Sequence, residues 1–116
     1  MEIELLERQS SELRKDIVEV CYHSKAGHVG GSLSAIDILN VLYFNELRID
    51  PNNPKMENRD RFILSKGHIA EALYVTLAKR GFFAYSELDN FSGYNTKYIG
   101  HPNNKVAGVG NEYWCF

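Results

Sequence analysis

Cysteine is scarce in this sequence. Cys21 and Cys115 form neither a Cys-x-x-Cys pair nor a disulfide framework. A reducing, cytoplasmic setting is the simplest expectation, and it makes the glycosylation-type triplet Asn90-Phe91-Ser92 irrelevant. Charge of one sign is also lacking. Thirteen basic residues stand against fifteen acidic ones, a formal net charge of −2, and no Lys/Arg cluster stands out. That removes the electrostatic footprint of a nucleic-acid binder. Phe82, Phe83 and Tyr85 do not interleave with basic residues as a base-stacking platform would, so they are expected in the core or at a hinge. No long hydrophobic run exists. The longest mainly apolar stretch, 36–47, contains Asp37, Asn40 and Asn45 and is too short and too polar to span a bilayer. The opening Met1-Glu2-Ile3-Glu4 is acidic where a signal peptide is basic. What remains is a chain of 116 residues, 44% hydrophobic, with the length for one modest domain and a true core.

Periodicity predicts a first helix over 4–25, with Leu6, Leu13, Ile17, Val20, Cys21 and Ser24 on one stripe. Gly27, Gly30 and Gly31 break it. A second helix is expected to open at Ser34 as N-cap, with Asp37 completing a capping box. Its residues through Leu47 are apolar on most sides, the pattern of a helix buried all round. Residues 50–60 carry Pro51 and Pro54 and read as a surface loop. Residues 61–65 (Arg-Phe-Ile-Leu-Ser) suit a short buried strand. A third helix over 69–80 is closed by Gly81, and Ser86 with Asp89 forms a second capping box for a short helix through Phe91. From Ser92 onward no period is visible. Helices feeding one buried strand suggest an α/β fold. One strand makes no sheet, so further strands or a partner's sheet are implied.

Three of the four histidines directly follow glycine: Gly27-His28, Gly67-His68 and Gly100-His101. Each pair sits at a break between elements, where a scaffold presents functional side chains. His68 lies past the carboxyl end of the expected strand and at the start of a helix. Ligands of open α/β sheets bind there, and free N–H groups there receive anions. A helix-capping or packing role for His68 is about as credible from position alone. His28 lies in a glycine-rich stretch without Rossmann or P-loop spacing, and such stretches are more often plain connectors. His101 is held extended by Pro102 and reads equally as an ordinary turn residue. His23 falls within the first helix and reads as structural. With no His-x-x-His, His-x-x-x-His or Cys-x-x-Cys pair, no metal ligand is expected.

Residues 24–32 (Ser-Lys-Ala-Gly-His-Val-Gly-Gly-Ser) resemble the first loop of transketolases. Residues 58–68 (Asn-Arg-Asp-Arg-Phe-Ile-Leu-Ser-Lys-Gly-His) are similar to that family's strand-to-histidine motif, and Gly100-His101-Pro102-Asn103 to its third histidine loop. Order and spacing agree from about residue 5 to 109. The Gly-Gly-Ser after His28 and Lys66 before Gly67 look most like the split form, built from separate N- and C-terminal subunits. The resemblance implies the N-terminal part of a thiamine-diphosphate-binding fold, helix-rich, with the first strand or strands of an incomplete parallel sheet. It implies an enzyme that moves a two-carbon ketol unit from a ketose phosphate to an aldose phosphate. His68, with Gly67, would contact the cofactor's diphosphate. His28 and His101 would act on the sugar as catalytic and substrate-binding residues, and imidazole suits proton transfers near neutral pH. The implied partners are sugar phosphates and a C-terminal subunit, in a homodimer or heterotetramer, without nucleic acid or membrane.

The sequence departs from the family after Val109. The Gly-Asp-Gly and later Asn that hold Mg²⁺ (or Ca²⁺) and the diphosphate have no counterpart. Residues 1–109 thus read as a partial N-terminal domain and 110–116 as a tail foreign to the family. Dropping the first base of the tail's codons permits Glu-Met-Asn-Thr-Gly-Ala and the start of Leu, a family-like continuation. A single-base frameshift is therefore the expectation for 110–116, although it leaves the stop after Phe116 without an account. The isolated chain is expected to be inactive, with Leu42, Phe44, Ile63 and Leu64 lacking the later strands they would pack on. Two rival readings are a non-catalytic interaction module (or broken gene product) and a related sugar-phosphate enzyme such as a deoxyxylulose-phosphate synthase.

Overall fold

The computed structural model describes residues 1–94, 96–100 and 105–109. Helix α1 spans Ile3–Ser24. Leu13 and Ile17 are wholly buried and Val20 and Cys21 nearly so, with Leu6 and Ser24 at the margin of the same stripe. The helix stops at Lys25, which takes a left-handed conformation at φ 55°, while the Ser24 hydroxyl donates to the Val20 carbonyl at 2.8 Å. Helix α2 spans Val29–Val41 and runs on as a π-helical turn, Leu42–Glu46. A 3₁₀ turn, Gly67–Ile69, leads into α3, Ala70–Arg80. A second 3₁₀ turn covers Tyr85–Asn90.

Each of the three helices packs on the other two. α3 is the most enclosed, for every residue from Ile69 to Leu77 is buried. Gly81 ends it at φ 106°, donating its N–H to the Leu77 and Ala78 carbonyls at 3.1 Å. Residues 50–60 form the surface loop that their prolines predict. It folds as successive turns, clasped where the Asp60 N–H reaches the Arg48 carbonyl (2.8 Å) and the Arg48 N–H reaches Asp60 Oδ2 (2.6 Å).

Several expectations need correction. α2 begins at Val29, so Gly30 and Gly31 lie inside the helix and Ser34 is not its cap. The Ser34 hydroxyl instead donates to the Gly31 carbonyl at 2.7 Å. α2 is not buried all round either. Ile36, Leu39 and Asn40 face inward, while Val29, Ile38 and Val41 are exposed. Ser86 is likewise no cap, since its 3₁₀ turn starts after Ala84 with backbone bonds alone. Most consequentially, no strand exists among the described residues. Residues 61–65 pass without regular structure, and among the described residues no backbone group pairs with 62–65. A strand exists only as half of a ladder, and the described residues present no second half. The helix-rich expectation therefore stands, and the incomplete sheet is not present among the described residues. Of the side chains expected to need later strands, Leu42, Phe44 and Leu64 lean on the core, while Ile63 is 54% exposed.

Two buried polar arrangements tie the helices together. Asn40, wholly enclosed, donates to the Leu6 carbonyl (2.8 Å) and Ser10 Oγ (2.9 Å) and accepts from Gln9 Nε2 (2.7 Å), joining α2 to α1. The second, around Glu71, belongs to the site below. An aromatic cluster of Tyr74, Phe91, Tyr98 and Phe83, with ring centroids 5.0–6.2 Å apart, seats the segment that leads to residue 101. The Tyr98 hydroxyl donates to Glu87 Oε1 at 2.6 Å. Among the described residues no helix is long and apolar enough to cross a membrane. His101 and the tail 110–116 lie outside the described residues.

Candidate functional site

His28 is the residue from which α2 departs, and His68 is the middle residue of the 3₁₀ turn before α3. Forty positions apart in sequence, their rings meet edge to face, with centroids 5.0 Å apart and planes at 78°. Both residues are exposed. Gly67 opens the turn that carries His68. His23 projects from α1 beside Tyr22, with ring centroids 5.6 Å apart. The structure therefore brings two of the three glycine-preceded histidines together. Two imidazoles on an open face offer N–H donors and acceptors to one bound molecule.

The support beneath them is a residue that the sequence reading passed over. Glu71, in the first turn of α3, has no exposed surface. Its Oε1 accepts from the His28 backbone N–H at 2.6 Å and from the Ser32 hydroxyl at 2.7 Å. Gly27, at φ 109°, lies against the same carboxylate. A Cβ built there would stand 3.1 Å from Glu71 Oε1 and 2.7 Å from Cys21 Sγ. Burial, and then the neighbouring Glu71 carboxylate, push the Cys21 thiol up to about 11. A signal for Glu71 did exist: it is the one charge in the otherwise apolar run 69–75, and a charge inside a buried helix needs a partner. Lys66 makes a weaker second link, its Nζ reaching Ser34 Oγ at 3.5 Å across an exposed gap.

A cavity of about 670 Å³ lies elsewhere, lined by Lys55, Arg59, Arg61, Lys97 and Lys105 among others, and neither imidazole lines it. No group of three or more His, Cys, Asp or Glu able to hold a metal ion occurs among the described residues.

A model of the transketolase thiamine diphosphate binding domain matches residues 7–112. The chain is 46% identical over 109 residues to a subunit of the apulose-4-phosphate transketolase of Phocaeicola vulgatus, a match covering 94% of this chain and 39% of that one. It is 43% identical over 96 residues to the 6-deoxy-6-sulfo-D-fructose transketolase subunit SqwG of a Clostridium species, covering 83% of this chain and 35% of that one. The crystal structure of Campylobacter jejuni transketolase superposes with a TM-score of 0.85 at 35% identity, over 94% of this chain and 17% of that one. The chain belongs to the transketolase family. It spans well under half the length of the relatives it matches.

The described residues fit part of such a cofactor's requirement. An exposed imidazole at the start of a helix, with a second imidazole beside it, suits phosphoryl and hydroxyl oxygens. A divalent metal finds no donor set among the described residues.

Proposed function

We propose that this chain is the N-terminal piece of the cofactor-binding domain of a transketolase. The whole enzyme would transfer a two-carbon ketol unit from a ketose phosphate to an aldose phosphate with thiamine diphosphate. The observation that carries this reading is the contact of His28 with His68 on an open face, in a chain of this family. In this reading His68 and Gly67 hold the diphosphate, and His28 and His101 act on the sugar, donating to its oxygens and moving protons. The cofactor supplies the carbanion chemistry; the residues here bind and orient. For the metal that accompanies such a cofactor, Mg²⁺ or Ca²⁺, the described residues offer no donor set.

The two relatives are named for apulose 4-phosphate and for 6-deoxy-6-sulfo-D-fructose. Each is a ketose with an anionic substituent, and that is the substrate class we assign. Both relatives are named as subunits, which supports a partner that supplies the C-terminal half, in a homodimer or heterotetramer. A cytoplasmic setting with both thiols reduced accompanies this reading. Residues 1–109 are the partial domain in it, and sequencing the DNA tests whether 110–116 is a frameshifted tail.

Thermal melts with and without thiamine diphosphate and Mg²⁺ test the reading. A ligand at a hundred times its Kd adds about 2.7 kcal/mol if it binds only the folded state, roughly 10 °C for a domain of this size. With no metal donor set among the described residues, binding is expected to be weak, so at high ligand the expected result is a reduced shift in the wild type and in His23→Ala, and none in His68→Ala. No shift in the wild type, or an undiminished one in His68→Ala, overturns the assignment.

A further inference from the structure

Glu71 sits in a place where a carboxylate is costly. It has no exposed surface, and its neighbours along α3 are Ala70, Ala72 and Leu73. A buried charge destabilises unless hydrogen bonds answer it, and apolar residues of like volume are often as stable or better. Oε1 accepts two bonds, while Oε2 is enclosed and has no hydrogen-bond partner among the described residues. Core stability alone therefore gives a poor reason for this side chain. Its contacts suggest another. It stands one turn beyond His68 on the helix that His68 introduces, and it grips the backbone N–H of His28, 43 positions earlier. It also grips the Ser32 hydroxyl in the first turn of α2. Gly27 leaves the carboxylate the space where a side chain would otherwise project.

We propose that Glu71 is a positioning residue for the His28–His68 pair, its carboxylate locking the His28 backbone to the helix that His68 opens so that the two imidazoles keep one spacing. What the fixed spacing serves, though not the spacing itself, rests on reading those histidines as a ligand-facing pair. The bond goes to a main-chain N–H, so it places the loop whatever the His28 ring is doing. It is short and charge-assisted, the strong kind of hydrogen bond. The exposed Lys66–Ser34 contact at 3.5 Å is too long to do the same.

NMR on the full chain tests this, using wild type, Glu71→Gln and Glu71→Ala. In the wild type the His28 amide is expected downfield and protected from exchange, with a ring-to-ring NOE between His28 and His68. Glu71→Gln keeps an acceptor but loses the charge. The His28 amide should then move upfield and exchange about tenfold faster, with the ring NOE retained. Glu71→Ala should lose both. A folded Glu71→Ala that keeps the ring NOE overturns the proposal. If Glu71→Ala does not fold, Glu71→Gln decides: an unmoved His28 amide overturns the proposal, and a selective upfield move supports it. Adding thiamine diphosphate and Mg²⁺ separates the two ideas. Wild-type rings that ignore the ligand, with the Glu71 effects intact, refute the ligand reading and leave the positioning role standing.

Discussion

The two glycines that flank His28 and Val29 should respond to the same mutation with opposite signs. At Gly27 the backbone has φ 109°, and a Cβ would stand 2.7 Å from Cys21 Sγ, 3.1 Å from Glu71 Oε1 and 3.3 Å from Glu71 Cδ. Strain at such a φ costs about 1–3 kcal/mol. The overlap costs a further 1–3 kcal/mol or so, as overpacking does. Neither neighbour yields easily, because the carboxylate is pinned by two hydrogen bonds and Cys21 is part of α1. Gly27→Ala should therefore destabilise by about 2–6 kcal/mol, a large share of the roughly 5–15 kcal/mol that holds a domain together. Gly30 lies inside α2, and an added Cβ there would meet nothing within 4 Å. Gly30→Ala should stabilise by about 0.5–1 kcal/mol, because glycine loses more backbone entropy on entering a helix. Urea titration followed by circular dichroism measures both, with unchanged m values expected. Equal midpoints for the two variants, or a Gly27→Ala loss below about 1 kcal/mol, would refute the reasoning.

Asn40→Leu removes the partner of Gln9, Ser10 and the Leu6 carbonyl and should cost about 1–3 kcal/mol in a thermal melt; a neutral result would show that water satisfies these groups. In a Cys115→Ser background, Cys21 should react with a disulfide reagent at pH 8 on the order of 100-fold more slowly than in the urea-unfolded chain, because its thiol is pushed up to about 11. Equal rates would contradict the buried placement. Stability should fall as pH rises past about 9. Burial raises Cys21 to about 11 and, with nearby Asp16 and Glu19, Tyr85 to about 12, and it raises Tyr43 and Tyr98 as well. The folded state then holds protons that the unfolded chain releases, so each group's contribution is present below its unfolded value and lost through the folded one. Urea midpoints that stay flat from pH 8 to 11 would contradict this.

The helices were legible wherever local pattern decides them. The Leu13-Ile17-Val20-Cys21 stripe and the Gly81 stop were both readable at the level of single turns. The start of α2 was not. Ser34 and Asp37 satisfy the local rule for a cap, yet the helix begins five residues earlier at Val29, where the Glu71 carboxylate engages the His28 N–H and the Ser32 hydroxyl across the fold. No rule confined to neighbours in sequence sees a bond spanning 43 positions. The strand failed for a related reason. Phe62, Ile63 and Leu64 have the composition of a buried strand, but a strand is a property of two segments, and composition describes one. His28 and His68 were each singled out from the sequence; that their rings touch was not readable from it.

Residues 62–65 have a consequence for handling the protein. Their backbone donors and acceptors pair with no other described backbone group, and Ile63 stands outward at their centre. An apolar stretch with a bare main-chain edge is a template for another chain. During refolding, intramolecular collapse therefore competes with intermolecular pairing, and the competition shifts with dilution. The soluble yield should fall as the protein concentration in the refolding mixture rises. An Ile63→Lys change on the exposed side of that stretch should recover much of it, leaving the helical signal as it is.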